Sequence, residues 1–238
     1  MASSPTMRLV KDELYGFAKS KVMIVLWVIL PILAIAGYFL FSYLLSLNEE
    51  PGTVQDPQAP KMSVSVFLSG LLSSIAGSVA AILVAVDIVS ERQRKVFELI
   101  VIRPVRREVI VWSKFIAVFV TVWLACVIST SFGIVVDFIR GTDITAGAVW
   151  DLVKALAQCG GVIALATGGG VAVGVISRSI LVAVCIVWFG SQNLTLLPML
   201  PIYFGLAPEY FWVFQAASVA LAFALVWLAG WGFRRSQF

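Results

Sequence analysis

The chain has 238 residues, of which 61% are hydrophobic and 13% are charged, and its mean hydropathy is +1.00. Charged residues make up about 25% of a typical soluble domain, so this composition excludes a water-soluble globular protein. The net charge of +4 is small. An excess of Lys and Arg in a membrane protein is explained by its topology and by contact with anionic lipid, so it gives no support to nucleic-acid binding.

The residues before the first long apolar stretch have the pattern of an amphipathic helix over residues 7–21. Val10, Leu14, Phe17 and Ala18 recur at helical spacing, and charged residues occupy the other faces. Such a helix lies in the plane of the membrane; the alternative is a frayed cytoplasmic tail. No cleavable signal peptide is expected, because the first apolar run begins only after about 21 residues and is long enough to span.

Apolar stretches long enough to cross a bilayer then recur along the chain. A transmembrane helix needs about 20 apolar residues at a rise of about 1.5 Å each. The sequence therefore predicts an all-α integral membrane protein with a single transmembrane domain over residues 1–238. The predicted spans are residues 22–46, 63–89, 109–137, 149–176, 180–197 and 211–232.

The positions of the Lys and Arg residues predict how these spans are oriented. All 17 of them fall on the side of the N-terminus except Lys61, Arg140 and Lys154. Because short cytoplasmic loops carry the excess of Lys and Arg, both termini are expected in the cytoplasm. Residues 48–62, which are rich in turn-forming and acidic residues, are predicted to form an outer loop.

Cysteine and histidine usage limits the chemistry that is available to this chain. It has no His, and its three cysteines, Cys126, Cys159 and Cys185, all fall inside predicted spans. A disulfide framework is therefore not expected, and a zinc, haem or copper site lacks ligands. No Ser or Cys has a visible base nearby, so the chain is not predicted to be an enzyme.

After the second predicted span and running into the third, residues 91–114 combine charges with a short apolar patch. Two pairs of opposite charges lie four residues apart and can pair along one helix, and Pro104 ends that helix. The pairs are Glu91 with Lys95 and Arg94 with Glu98, and the patch is Val96, Leu99 and Ile100. We predict a short transverse helix that receives a partner protein. The alternative, a polar loop that only satisfies the positive-inside rule, does not explain the patch, which is too short to span.

The same residues carry a wider pattern: an acidic residue with a basic neighbour, a Phe-Glu-Leu-Ile run, a Pro-Val with basic residues after it, and a Lys that opens the next span. In this order and spacing they resemble the inner loop of the type-2 ATP-binding-cassette (ABC) exporter permeases. The sequence departs from that pattern at Lys95 and Val96, where Gly and Thr are usual, and at Ser113, where Gly is common. The matching residues are Glu91, Arg92, Phe97, Glu98, Ile100, Pro104, Val105, Arg106, Arg107 and Lys114.

The resemblance covers essentially the whole chain and implies the architecture of that family: an N-terminal amphipathic helix, six spans, a long first outer loop and re-entrant helices between the last two spans. It implies a dimer, with a second copy or a related chain, that docks two cytoplasmic ABC ATPase subunits and lies in the plasma (inner) membrane of a prokaryote. ATP and Mg would bind to the ATPase, so no cofactor is expected on this chain. The implied ATPase-coupling residues are Glu91, Arg94, Val96, Phe97, Glu98, Leu99, Ile100, Arg103 and Pro104.

A second unusual region, residues 191–210, is predicted on the outer side. Pro198, Pro201 and Pro208 interrupt an apolar stretch there. Backbone at membrane depth must be paired or lie against protein or water, so this pattern favours short re-entrant helices. The alternative is an ordinary hydrophobic outer loop.

The glycines of the fourth span favour helix packing over nucleotide binding. The run 168–170 lacks the Lys-Ser/Thr ending and the preceding strand of a phosphate-binding loop. Small residues every four positions instead let two helices approach closely. The packing glycines are predicted to be Gly160, Gly168, Gly170 and Gly174, with a similar seam on the second span at Gly70, Ser73 or Ser74, Gly77 and Ser78.

Polar side chains at membrane depth are candidates for a substrate path, because such groups face protein or a cavity. In the resembling family the second and fifth spans line the central path, which supports this interpretation; helix–helix hydrogen bonds are the alternative. The lack of charges at mid-membrane argues against an ion-coupled pump and favours a hydrophobic or amphiphilic cargo. The candidates are Ser69, Ser73, Ser74, Ser78, Gln192 and Asn193.

Asp87 lies near the inner end of the second span, four residues before Glu91 on the same helical face. It is a candidate partner for Lys114, and the pair would form a hinge between the coupling helix and the pore. The alternative is a carboxylate in contact with water.

Taken together, these patterns predict a non-catalytic permease of an ATP-driven exporter. Two rival classes remain: a secondary transporter or channel, which would show intramembrane charge or an inverted repeat, and a membrane anchor or sensor that transports nothing.

Overall fold

The computed structural model describes residues 5–48, 64–94, 107–139, 146–205 and 208–235. Of these residues, 95% are helical and none is in a strand. Most of the predicted outer loop and most of the predicted coupling helix lie outside the described residues. The coupling residues concerned are Val96, Phe97, Glu98, Leu99, Ile100, Arg103 and Pro104.

The described part of the chain forms eight α-helices and one short 3-10 helix. The 3-10 helix, Leu197–Met199, lies between the sixth and seventh α-helices. The α-helices are α1 (Pro5–Ala18), α2 (Lys21–Asn48), α3 (Val64–Gln93), α4 (Arg107–Ile139), α5 (Ala146–Ile176), α6 (Ile180–Thr195), α7 (Leu200–Tyr203) and α8 (Pro208–Arg235).

The prediction of an all-α integral membrane protein is confirmed. Within the described ranges, five helical stretches are long and apolar enough to cross a membrane, and α1 with α2 forms a bent pair that makes a sixth when taken as one span. The five stretches are Gly70–Gln93, Glu108–Phe132, Val149–Ile176, Ile180–Met199 and Glu209–Arg234.

A bend of 60° separates α1 from α2. Ser20 forms the corner, where its Oγ accepts a hydrogen bond from the Met23 backbone N–H at 3.2 Å, so it caps the start of α2. Leu9 and Phe17 of α1 pack against the hydrophobic core. Ala18, which the sequence placed on the apolar stripe, is exposed, because α1 turns the face of Leu9 and Phe17 toward α4.

The centre of the bundle is α5, and 78% of its apolar, membrane-spanning segment is buried inside the protein. Its most extensive contacts are with α3 and α8. Only 19% of the apolar segment formed by α6 and the 3-10 helix is buried, and only 28% of the apolar segment of α8 is buried. The last two spans therefore carry large apolar faces on the outside of the single chain.

Small residues allow α3 and α5 to touch along their backbones. Gly170 lies so close to the Ala81 backbone that a Cβ atom would collide with it, and a Cβ on Gly174 would lie 3.0 Å from Ala85 Cα. The contacting residues are thus spaced four apart on both helices, as close helix packing in membranes requires.

The other predicted packing glycines also lie at helix contacts. A Cβ on Gly168 would lie 3.0 Å from the Ala222 carbonyl oxygen of α8, and one on Gly160 would lie 3.3 Å from the Trp123 indole nitrogen of α4. On α3 the contact begins at Gly77, whereas a Cβ on Gly70 would meet no described atom within 4 Å. The seam of α3 therefore lies further inward than the sequence predicted, and runs through alanines.

Two short helical turns separate α6 from α8. Pro198 is the second residue of the 3-10 helix, Pro201 lies in α7, and Pro208 begins α8, so this stretch is divided into short helical turns. The re-entrant placement of residues 191–210 stays a prediction. Gly205 has a φ of 58°, a left-handed backbone that favours glycine. We call residues 196–205 the outer turn, after the side of the membrane on which the sequence predicts them.

Candidate functional site

Four charged side chains meet where α1, α3 and α4 come together. Lys114 Nζ lies 2.5 Å from Asp87 Oδ2, 2.8 Å from Glu91 Oε1 and 3.4 Å from Glu13 Oε1. Glu13 belongs to α1, the two other acids lie one turn apart on α3, and Lys114 lies near the start of α4. We call these four residues the charged cluster.

Burial makes the charged cluster a strong connection between helices. The Lys114 side chain is only 1% exposed, whereas the three carboxylates are 21% to 29% exposed. A buried ammonium group without partners would be very costly, and Lys has three N–H donors, which here face three carboxylates. Lys114 thus ties α1 and α3 to α4.

The charged cluster contains one positive charge and three negative charges, so its geometry is sensitive to movement. Glu91 Oε2 is buried and has no hydrogen-bond partner among the described residues. Attraction between unit charges halves when their separation doubles, and the carboxylates repel one another once Lys114 withdraws. A shift of α4 against α3 is therefore opposed until the whole cluster rearranges.

Arg92 fixes the end of α3 to the end of α5. Its guanidinium donates hydrogen bonds to the Val175 carbonyl at 2.6 Å and to the Ser177 carbonyl at 3.1 Å. The last carbonyls of a helix lack donors within the helix, and a cation there also suits the helix dipole. Gln93 Nε2 adds a bond to the Arg178 carbonyl at 3.3 Å, so α3 and α5 end as one unit.

The inner end of α8 joins the same group of helices. Arg234 Nε lies 2.8 Å from Glu108 Oε1, and the two side chains are 53% and 31% exposed. A pair this exposed contributes little stability. Its value is positional, because it shows that α8 ends beside the first turn of α4, at the end of the bundle that carries the charged cluster.

Two of the predicted coupling residues are described. Glu91 does not begin a separate helix, because α3 continues to Gln93; one turn after Asp87, its carboxylate reaches Lys114. Arg94 comes directly after the last residue of α3, Gln93, and its side chain is exposed. Residues 95–106, which contain the rest of the predicted coupling helix, connect the end of α3 to the start of α4.

Lys114, the predicted partner of Asp87, is the partner that the structure shows. The sequence did not predict that Lys114 also contacts Glu13 and Glu91, or that Arg92 caps α5. One signal for Glu13 was in the sequence. It lies four residues from both Leu9 and Phe17, on the packed face of α1. An acidic residue within an apolar stripe indicates a cationic partner on a neighbouring helix.

Three of the six candidates for a substrate path, Ser73, Ser78 and Asn193, have side chains that hydrogen-bond within their own helix. Ser73 and Ser78 are buried, and their hydroxyls donate to the Gly70 and Ser74 carbonyls of α3 itself. Ser74 is half-buried. Asn193 is exposed and donates to the Phe189 carbonyl. The side chains of Ser69 and Gln192 lie outside the described set.

Ser113, where the sequence departs from the family pattern, is fully buried next to Lys114. Its hydroxyl donates to the Ile110 carbonyl at 2.8 Å. The extra side chain is thus accommodated within α4.

Comparison with known proteins adds one finding to this geometry. The model of a family described as "ABC-2 family transporter protein" matches residues 9–193. The match is well over half of the chain and includes the charged cluster and Arg92. No curated protein is similar enough to be counted as a relative.

Proposed function

This chain belongs to the ABC-2 transporter family, and from that premise we propose that it is the permease subunit of an exporter driven by a separate cytoplasmic ATPase. As a family member it is a multi-pass membrane permease and a component of an ABC transporter. ATP and Mg bind to the ATPase partner, and the cargo is hydrophobic or amphiphilic. The membrane is the plasma (inner) membrane of a prokaryote.

The charged cluster is the observation that carries this proposal. Residues 95–106 connect the end of α3, which carries Glu91, to the start of α4, which carries Lys114 about two turns further on. The side chains of Glu91 and Lys114 are joined by a hydrogen bond of 2.8 Å. An ATPase docked on this segment pushes on both helices at once. Because the bond between them is buried on the lysine side, the push moves α3 and α4 together and does not separate them.

The remaining inner contacts spread that movement through the bundle. Glu13 carries it to α1, Arg92 carries it to α5, and the Arg234–Glu108 pair carries it to α8. Rocking of these helices alternates the central path between inward and outward openings. Direct contact of the α3 and α5 backbones at Gly170 and Gly174 lets those two helices move as one body.

We further propose that two copies of the chain, or this chain and a related one, dock two ATPase subunits. The weakly buried last spans support this, because a second permease covers apolar surface that the single chain leaves outside.

Asp87→Asn tests the coupling role. The amide keeps one acceptor oxygen but removes a charge that lies 2.5 Å from Lys114, so we expect cargo-stimulated ATP hydrolysis in proteoliposomes to fall about tenfold, as for the loss of about 1.4 kcal/mol of coupling, while copurification with the ATPase is retained. Asp151→Asn is the matched control, since that carboxylate is 51% exposed and pairs only within α5 at 3.6 Å. Equal loss of copurification and of stimulated hydrolysis would argue against coupling.

The exporter function itself is tested with the purified assembly. We expect the chain to copurify with an ABC ATPase and to move cargo only when ATP is supplied. Transport by the chain alone would indicate a secondary transporter or channel, and copurification without any cargo-stimulated hydrolysis would indicate an anchor or sensor.

A further inference from the structure

Gln215 is a buried amide near the start of α8, at the end of the bundle opposite the charged cluster. It is only 6% exposed. An amide buried among apolar helices is costly unless it is hydrogen-bonded. Its Nε2 donates to the Pro198 carbonyl in the outer turn at 3.0 Å, so its partner lies in another element.

The Pro198 carbonyl needs such a donor because of the sequence around it. In a 3-10 helix each carbonyl accepts from the N–H three residues later, and for Pro198 that residue is Pro201, which has no N–H. The side chain of Gln215 therefore replaces a backbone donor that the outer turn lacks.

The amide is also held in place from the side of α5. A Cβ on Gly161 would collide with Gln215 Oε1 and would lie 3.6 Å from Pro198 Cβ. Oε1 itself is buried and has no hydrogen-bond partner in the described part of the chain. Since an oxygen facing the Pro198 carbonyl would be repelled, only one orientation of the amide satisfies the site.

We propose that Gln215 is a positioning residue that pins the outer turn against α5 and α8. The pin acts through the Pro198 carbonyl, which accepts from Gln215 Nε2. Resting on the exporter function proposed above, the pin makes the outer turn follow the movement of α5 and α8.

Gln215→Met tests the pin, because it keeps the length of the side chain and removes the amide. We expect hydrogen exchange at the backbone amides of Met199, Leu200, Tyr203 and Phe204 to become about three- to tenfold faster, the loss of a net hydrogen bond, in the purified chain in nanodiscs. Ser218→Ala is the matched control: it is buried on the same helix, but its hydroxyl donates at 2.7 Å to Phe214 of α8 itself. That variant leaves exchange in the outer turn unchanged.

A second variant separates pinning from simple packing. Pro201→Ala restores a backbone N–H three residues after Pro198, so in the Gln215→Met background we expect it to return at least half of the lost protection. A side chain that only filled space would not be replaced by an N–H at another position. Unchanged exchange in Gln215→Met, no recovery in the double variant, or equal loss of protection across α3 and α5 would each overturn the proposal.

The link to export is measured separately in the assembled transporter. We expect Gln215→Met to raise the ATP hydrolysed per cargo exported about threefold, and the double variant to lower it again. An unchanged ratio despite faster exchange would overturn the link to export. The exchange experiment needs neither ATPase nor cargo, so failure of the exporter function leaves its result intact.

Discussion

At the residue scale, the informative positions are buried or half-buried polar side chains whose partners lie on other elements. Lys114 is surrounded by acids of α1 and α3, Arg92 caps α5, and Gln215 replaces a missing backbone donor in the outer turn. In each case a group that would be costly alone becomes a connection between two or three elements. These side chains determine which helix ends move together.

Lys114→Met should destabilise the fold strongly. The variant removes the only cation of the charged cluster and leaves three carboxylates close together. We expect a loss of about 3 kcal/mol, the lower end of the range for breaking a buried pair, because the carboxylates are 21% to 29% exposed. Unfolding in mixed micelles titrated with a denaturing detergent measures it.

Lys154→Met is the control for that substitution. Lys154 pairs with Asp151 at 3.6 Å on the surface of α5, with exposed fractions of 34% and 51%, so its loss costs at most about 0.5 kcal/mol. Similar losses for the two lysines would contradict the importance of the charged cluster.

At the element scale, two kinds of contact arrange the helices. Backbone contact through Gly and Ala joins α5 to α3 and α8, and charged bonds join α1 and α4 to the end of α3. The first kind tolerates no added atoms, and the second opposes separation of the helix ends, because the buried Lys114 ammonium would lose its partners. The centre and the inner end of the bundle are thus held together by different interactions.

Gly170→Ala tests the backbone contact. The new methyl would collide with the Ala81 backbone, so we expect a loss of about 1–3 kcal/mol from overpacking. Gly190→Ala on α6 meets no described atom within 4 Å and should be neutral or stabilising by up to about 1 kcal/mol. The same unfolding titration compares them, and a neutral Gly170→Ala would contradict the close contact.

Glu13→Gln tests the attachment of α1. Loss of the carboxylate removes its ion pair with Lys114 at 3.4 Å, and we expect trypsin to cut at the exposed Lys11 and Lys19 several times faster, because α1 leaves α4 more often. Asp12→Asn changes an exposed carboxylate of the same helix and should leave the cleavage rate unchanged. Equal rates for the two variants would show that apolar packing alone holds α1.

At the scale of the whole molecule, the chain has a packed side and an open side. The apolar segment of α5 is 78% buried, whereas the apolar segment of α6 with the 3-10 helix is 19% buried. Leu181 and Phe189 of α6 are exposed by 72% and 74%. Lipid or a second copy covers this face, and a two-fold axis would place α6 of one copy opposite α6 of the other.

Cysteine crosslinking tests that arrangement without any added residue. Cys185 on α6 is exposed, whereas Cys126 and Cys159 are buried. We expect a flexible bismaleimide to link two chains in native membranes, and Cys185→Ala to abolish the linked product. Failure to link at full labelling of Cys185 would contradict a dimer contact through α6.

Much of the fold could be predicted from local patterns. Long apolar runs, breaks at Pro198 and Pro208, and glycines at spacings of four are visible in the sequence. Apart from Gly70, they correspond to helices, helix ends or contacts. Asp87 was matched with Lys114 because both lie near helix ends on the same side. Glu91 was assigned to a new helix, because a charged run after a span looks the same whether α3 stops or continues.

The sequence by itself determined that the chain is an all-α membrane protein and which family pattern it follows. It also determined that most Lys and Arg residues lie at the same end of the helix bundle as the N-terminus. Hydropathy and charge placement depend only on near neighbours and on the bilayer, so they can be read along the chain. The tertiary structure alone decided that Glu13 reaches Lys114, that Arg92 caps α5 and that Gln215 holds Pro198. Each of these bonds joins residues far apart in sequence, and their partners are fixed by how the helices pack.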